Sequence, residues 1–177
     1  MGSAEDEFDS FVRTRTHALL RSAYLLTGDQ QLAEDLVQSA LTRTHLAWRR
    51  LDDIGNAEAY ARRTMYHLQV SWWRRRKVAE VLPGHVPDRP GAGDHAGSVS
   101  VRLALRAALL QLSAKQRAVL VLRFFEDRTE SEVADLLGVT IGTVKSHTVR
   151  ALSRMRTIAP ELAPDLLDAD SRKGALS

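Results

Sequence analysis

Between Thr140 and Thr157 the chain carries Lys145, Arg150, Arg154 and Arg156 and no acidic residue. At helical spacing, Ile141, Val144, Thr148, Ala151, Leu152 and Met155 fall on one side. Thr143, Lys145, Ser146, His147, Arg150, Ser153 and Arg154 are left facing out. Such side chains suit a DNA major groove, where Arg forks to guanine and Lys, Ser and Thr hold phosphates. Upstream lie EVADLL and Gly138-Val139-Thr140. Ala134, Gly138 and Val144 have the spacing of a helix-turn-helix: a small residue where the helices cross, a glycine in the turn and a valine sealing the core. The N-terminus of the second helix adds backbone N–H groups that suit a phosphate.

A second cluster runs from Tyr60 to Val78, with Arg62, Arg63, Arg74, Arg75, Arg76 and Lys77 and no acid. Tyr60, Tyr66, Trp72 and Trp73 interleave with these bases, and aromatic side chains in a basic groove stack the bases of single strands. Tyr60 and Trp72 share a helical stripe with Ala57, Ala61, Thr64, Met65 and Leu68, which points to packing. Tyr66 and Trp73 fall off that stripe and are expected to be exposed. A basic helix C-terminus also suits the helix dipole, so these residues alone leave both readings open. A third segment, Asp35-Leu36-Val37-Gln38-Ser39-Ala40-Leu41, sets Asp35, Gln38 and Thr42 beside apolar residues. Alone it is an amphipathic helix that serves the core or a partner protein.

No enzyme signature accompanies these clusters. The six histidines (His17, His45, His67, His85, His95 and His147) share no metal-ligand spacing, and there is no cysteine. Gly91-Ala92-Gly93 lacks the lysine and following helix of a phosphate loop. Asp52 and Asp53 are adjacent in a turn. No catalytic residue, metal or cofactor is expected.

The elements that position the clusters read as helices throughout. Residues 7–27 place Phe8, Phe11, Val12, Leu19, Ala23 and Leu26 near one face, with Gly28 as C-cap. Asp29 caps a second helix whose stripe is Leu32, Leu36, Val37, Ala40, Leu41, Thr44 and Trp48. Asp52–Asn56 is a turn, and Asn56 caps a third helix. Residues 83–100 hold three of the five prolines and four of the ten glycines, and read as a flexible linker. Then come a helix over 101–112, one from Ser113 to Phe125, a capping box at Thr129–Glu132, a short helix to Leu137, and a last helix from Thr140 to about Thr157. The expected class is all-α: two small helical domains, 1–80 and 101–159, a linker over 81–100, and a tail over 160–177 that is either disordered or contacts a regulator.

The composition agrees with that layout. The 177 residues carry 25 Lys+Arg against 22 Asp+Glu, but arginine outnumbers lysine 21 to 4. The net charge of +3 conceals the two acid-free basic helices, offset by acidic termini and turns. A GC-rich genome accounts for Arg in place of Lys, but not for the clustering on two helices. No apolar run approaches the roughly 18 residues of a membrane span, and the acidic N-terminus has no signal-peptide core, so a cytoplasmic location is expected.

These blocks, in this order, resemble bacterial RNA polymerase sigma factors of the extracytoplasmic-function group, which keep regions 2 and 4 and a linker. AEDLVQSALTRTHLAW is similar to the region 2 helix that binds the clamp helices of the β′ subunit. NAEAYARRTMYHLQVSWWRRRK is similar to the helix that melts and reads the −10 element. LSAKQRAVLVLRFFEDRTESEVADLLGVTIGTVKSHTVRALSRMR is similar to region 4, with GTVKS opening the −35 recognition helix. The Trp72-Trp73 pair resembles an actinobacterial subgroup. Tyr60, His67 and Thr148 stand where the family usually has Trp, Asn and Leu, which bears on promoter sequence rather than on class.

The resemblance implies that Asp35, Gln38 and Leu41 dock on the polymerase. It implies that the turn with Asp52 and Asn56 captures a flipped −10 base, and that Arg62, Arg63, Tyr66, His67, Trp73, Arg75 and Arg76 face the melted strand. It places Thr143, Lys145, Ser146, His147, Arg150 and Arg154 at the −35 duplex. The implied partners are core RNA polymerase (β′ clamp helices and β flap), promoter DNA, and an anti-sigma factor or other regulator. The rivals are an autonomous helix-turn-helix regulator that binds duplex operators and an adaptor module that binds only protein. Neither needs both the clamp-type helix and the basic aromatic helix.

Overall fold

Helix ends are set locally, by the residues that satisfy the first free N–H groups of each helix. A computed structural model of the chain describes residues 4–51, 54–80 and 98–174. It holds eight α-helices and no strand among those residues: α1 (Ala4–Thr27), α2 (Gln30–Ala47), α3 (Ile54–Glu80), α4 (Ser98–Leu110), α5 (Ala114–Leu120), α6 (Glu130–Leu137), α7 (Ile141–Ile158) and α8 (Ala163–Gly174). Asp29 accepts from the Leu32 N–H at 2.9 Å to start α2. Ser113 with Gln116, and Thr129 with Glu132, form reciprocal capping boxes at α5 and α6. Thr140 accepts from the Thr143 N–H at 3.2 Å to start α7. None of the described helices is long and apolar enough to cross a membrane.

The chain divides into two units, Met1–Gln69 and Val70–Ser177, and the division falls inside α3. In the first unit α1 and α2 pack along each other. Phe11, Leu19, Ala23 and Leu26 of α1 meet Ala33, Leu36, Val37, Ala40 and Leu41 of α2 in the core. At one end Phe8, Phe11, His45 and Trp48 form a ring cluster, with Phe8 edge-on to Trp48 at 5.1 Å and tilted against His45 at 4.6 Å. Gly28 turns the chain at φ 70, and its N–H donates to Tyr24 O at 2.7 Å. Ala57, Ala61, Met65 and Leu68 bury the stripe expected of α3.

In the second unit the helix expected to reach Phe125 stops at Leu120 and continues as a π-type turn over Val121–Phe125. Asp127 follows at a positive φ of 55. The tail, whose sequence has little periodicity, contains α8, which lies against α7 and the π-type turn. Two arginines are buried in this unit. Arg117 is 1% exposed and donates to the carbonyls of Leu109 (2.8 Å), Leu110 (3.2 Å) and Leu112 (3.1 Å), capping the end of α4. Arg123 joins the π-type turn to α6 and α8.

Gly138 sits at φ +65 between α6 and α7, as the helix-turn-helix reading requires, and a Cβ there meets nothing within 4 Å. The cost of a side chain is therefore backbone strain alone. Gly138→Ala is expected to lower stability by about 1–2 kcal/mol without a steric clash. Urea unfolding of the two proteins checks this, and equal midpoints would contradict it.

Candidate nucleic-acid interface

Helix α7 has an inner side and a charged outer side. Val144, Thr148, Ala151, Leu152 and Met155 are buried, and the Thr148 hydroxyl donates to Val144 O at 2.9 Å, so a polar residue fits inside. Val133 and Ala134 of α6 are buried as well, which places the Ala134, Gly138 and Val144 geometry as expected. Ile141 is a correction: it was expected inside but is 45% exposed. As the first residue of α7 it precedes the turn where Val144 enters the core.

At 100° per residue, Lys145, Ser146, Val149, Arg150 and Ser153 line one outer stripe of α7, with Arg154 beside it. All six are exposed. Thr143 and His147 lie at one edge and are half-buried. The Thr143 hydroxyl shares a hydrogen bond of 2.9 Å with that of Thr140. Val149 was missed in the sequence. It is 67% exposed in the middle of the stripe. The signal for it was available, since an apolar residue between Thr148 and Arg150 off the core stripe suits a thymine methyl.

Burial, then the positive charges of Lys115 and Arg150, hold the His147 pKa below its usual value. Its Nδ1 is enclosed with no hydrogen-bond partner among the described residues, so a second proton has no acceptor there. The imidazole is therefore neutral at pH 7. The unfolded chain takes up the proton first as pH falls. The stability from neutral His147 is complete above about pH 6.5 and is lost as pH drops through the depressed folded value. Melting temperature should fall between pH 7.5 and 5.5, and His147→Gln should flatten part of that slope. Parallel slopes in thermal melts of the two proteins would contradict it.

On α3 several expectations need correction. Tyr66, expected off the core, is fully buried. Arg62 is buried too. Its Nε and Nη2 both donate to Glu58 Oε1 at 3.1 Å, while Arg15 holds the other carboxylate oxygen at 3.2 Å. The helix is enclosed around more of its circumference than a one-stripe reading allows. Asn56, Arg63 and His67 are exposed at helical spacing, with Tyr60 half-buried among them. Further along α3, Arg74 and Arg75 are exposed. Asp52 and the side chains of Trp73 and Arg76 lie outside the described residues. Helix α2 presents Asp35, Gln38 and Thr42 on one exposed face. Leu41, which the resemblance implied docks there, is buried in the chain's own core, as its place on the apolar stripe implied. The same face continues instead to Leu46, 75% exposed, which the sequence reading passed over. Among the described residues no group of His, Asp and Glu is arranged to hold a metal ion.

Comparison with known proteins places both units. Sigma-70 region 2 matches residues 11–78, and Sigma-70 region 4 matches residues 102–155. The RNA polymerase sigma-E factor of Streptomyces coelicolor is 41% identical over 169 residues, which span 94% of this chain and 95% of that one. The ECF RNA polymerase sigma factor SigL of Mycobacterium tuberculosis is 32% identical over 81% of this chain and 84% of its own length. Among solved structures, the sigma factor RpoE of Bartonella quintana, co-crystallised with the anti-sigma factor NepR, superposes with a TM-score of 0.70. It is 25% identical over 86% of this chain and 96% of that chain.

Proposed function

The chain belongs to the RNA polymerase sigma factors of the extracytoplasmic-function group, and from that premise we propose that its two units read two different forms of promoter DNA. As a sigma factor it works with core RNA polymerase and promoter DNA to direct transcription initiation. Its part is non-covalent: it binds, positions and separates strands, and the polymerase supplies the chemistry. We place it in the cytoplasm with both partners. An autonomous operator binder accounts for α7 but leaves the region 2 match without a purpose.

The single observation that carries the −35 assignment is the outer stripe of α7, polar or apolar and free of acid, on a helix held by a helix-turn-helix. Arg150 and Ser146 are assigned to base edges, Val149 to a thymine methyl and Arg154 to a phosphate, with Lys145 on the same −35 face. Thr143 and His147 flank them. On α3, Asn56, Arg63, His67, Arg75 and the sequence-assigned Trp73 and Arg76 are given to the −10 strand, with Asp52 in the preceding turn. Arg62 and Tyr66 shape that helix from inside rather than touching DNA. Asp35, Gln38 and Leu46 are given to the polymerase clamp, with Leu41 packing beneath them. By analogy with the NepR complex, an anti-sigma factor is the expected regulator.

Opening a duplex costs about 1.4 kcal/mol per base-pair step. A strand-binding aromatic offsets part of that, at about 1–3 kcal/mol per stacked base. Trp73→Ala should therefore reduce promoter opening several-fold more than it reduces binding to the closed duplex. Permanganate footprinting beside a duplex-binding assay checks this. Normal opening by Trp73→Ala would return Trp73 to a packing role.

A further inference from the structure

Four charged side chains form a line across the second unit. Asp170 of α8 accepts from Arg123 Nη2 at 3.0 Å, Arg123 Nη1 reaches Glu130 Oε1 at 3.2 Å, and Glu130 Oε2 stands 3.6 Å from Lys145 Nζ. The Arg123 side chain is only 3% exposed, whereas that of Lys145 is 64% exposed on the outer stripe of α7. The line thus runs from the half-exposed Asp170 through the buried Arg123 to the face given to DNA. Its first member lies beyond residues 102–155, the part that Sigma-70 region 4 matches.

We propose that Asp170, acting through Arg123 and Glu130, is a positioning residue that holds Lys145 back from promoter phosphates. This rests on the reading that α7 enters the −35 duplex. The guanidinium of Arg123 presents its donors in a fixed fork. Asp170 accepts from Nη2, so Glu130 pairs with Nη1 through Oε1 alone and keeps Oε2 for Lys145. Among the described residues Arg123 Nε has no hydrogen-bond partner, so the group has unused donor capacity. Without the Asp170 charge, the buried cation has Glu130 as its one carboxylate among the described residues. It then engages both oxygens in a bidentate fork, the stronger arrangement. Lys145 loses its partner and meets a phosphate, which displaces a counterion from the DNA. The last helix of the chain thereby tunes how tightly a distant face binds DNA, without touching it.

The test uses holoenzyme assembled from the full chain and core polymerase. The probe is a labelled duplex selected from a random-sequence pool by wild-type holoenzyme, titrated across a salt series. Asp170→Asn should bind about three- to fivefold more tightly at low salt. Its plot of log affinity against log salt should steepen by about one, the signature of one added phosphate contact. Glu130→Gln, which frees Lys145 while keeping the Arg123–Asp170 pair, should show the same gain. The double variant should gain no more than either alone, because both act through one lysine. Lys145→Ala in the Asp170→Asn background should abolish the gain, and Asp170→Glu should behave as wild type. Should Asp170→Asn fail to fold in a thermal melt, Glu130→Gln decides alone. An unchanged salt slope in a folded Asp170→Asn or in Glu130→Gln overturns the proposal, as does additivity in the double variant. Arg150→Ala in the same assay separates the two levels: if it binds like wild type, α7 does not read DNA, whereas if it weakens binding while Asp170→Asn changes nothing, only the tuning by α8 fails.

Discussion

Arg117→Met should destabilise the second unit by about 3–5 kcal/mol, because three helix-end carbonyls lose their donor at about 1–3 kcal/mol each. Arg117 is among the largest fully buried side chains of the protein and donates to three carbonyls at the end of α4. Burial lowers its pKa to about 10, so it remains a cation at neutral pH. The cation is in place because the last carbonyls of a helix carry partial negative charge and have no donors of their own. Methionine keeps much of the volume and supplies no donor. Each carbonyl then left unsatisfied costs about 1–3 kcal/mol, eased where water enters. Against a usual total of about 5–15 kcal/mol this is a large share. In urea unfolding the midpoint should drop sharply, and −35 duplex binding should be lost in proportion to the unfolded fraction. A loss under about 1 kcal/mol would mean that other donors serve those carbonyls and that Arg117 is filler.

Arg150→Ala should carry the largest effect on DNA recognition that leaves the fold intact. Arg150 is exposed in the middle of the α7 stripe, beside Val149 and one turn from Ser146. Among the described residues its exposed guanidinium makes no hydrogen bond or ion pair, and alanine is the best helix former, so folding is spared. A bidentate contact to a guanine edge is worth about 1–3 kcal/mol of discrimination. Affinity for the selected duplex should fall by roughly five- to 150-fold, and preference should relax at one base pair only. Competition binding with a panel of single-base variants reads both. A uniform loss across the panel, with a salt slope shallower by about one, would instead assign Arg150 to a phosphate.

The sequence made the local parts of this fold readable and hid the parts that depend on tertiary enclosure. Caps at Asp29, Ser113, Thr129 and Thr140 and the turn at Gly138 are decided within four residues, so residue type announces them, although the cap expected at Asn56 fails because α3 already runs from Ile54. The two basic helices were legible for the same reason, since charge of one sign along a helix needs no fold to be seen. Arg62 and Tyr66 were misplaced because a helix stripe tells which side is most apolar, not how far the neighbouring elements wrap around it, whereas Leu41 is buried as its stripe implied and only the family resemblance put it on the docking face. Ile141 was misplaced at a helix start, where the periodic pattern precedes the packing. Arg117 and Arg123 were invisible in their roles: arginine reads as surface until the fold brings carbonyls or carboxylates to it. Helix α8 was hidden likewise. Its sequence has weak periodicity, and its anchor is Asp170, meeting an arginine 47 residues away.

The most direct measurement is run-off transcription from the source genome by core RNA polymerase freed of other sigma factors, with and without this chain, with transcript 5′ ends mapped. Discrete start sites that share upstream sequence should appear only when the chain is present, and Arg150→Ala should reduce them. Identical start sites with and without the chain, or a set that responds only to pre-bound operator duplex, would contradict its role as a sigma factor.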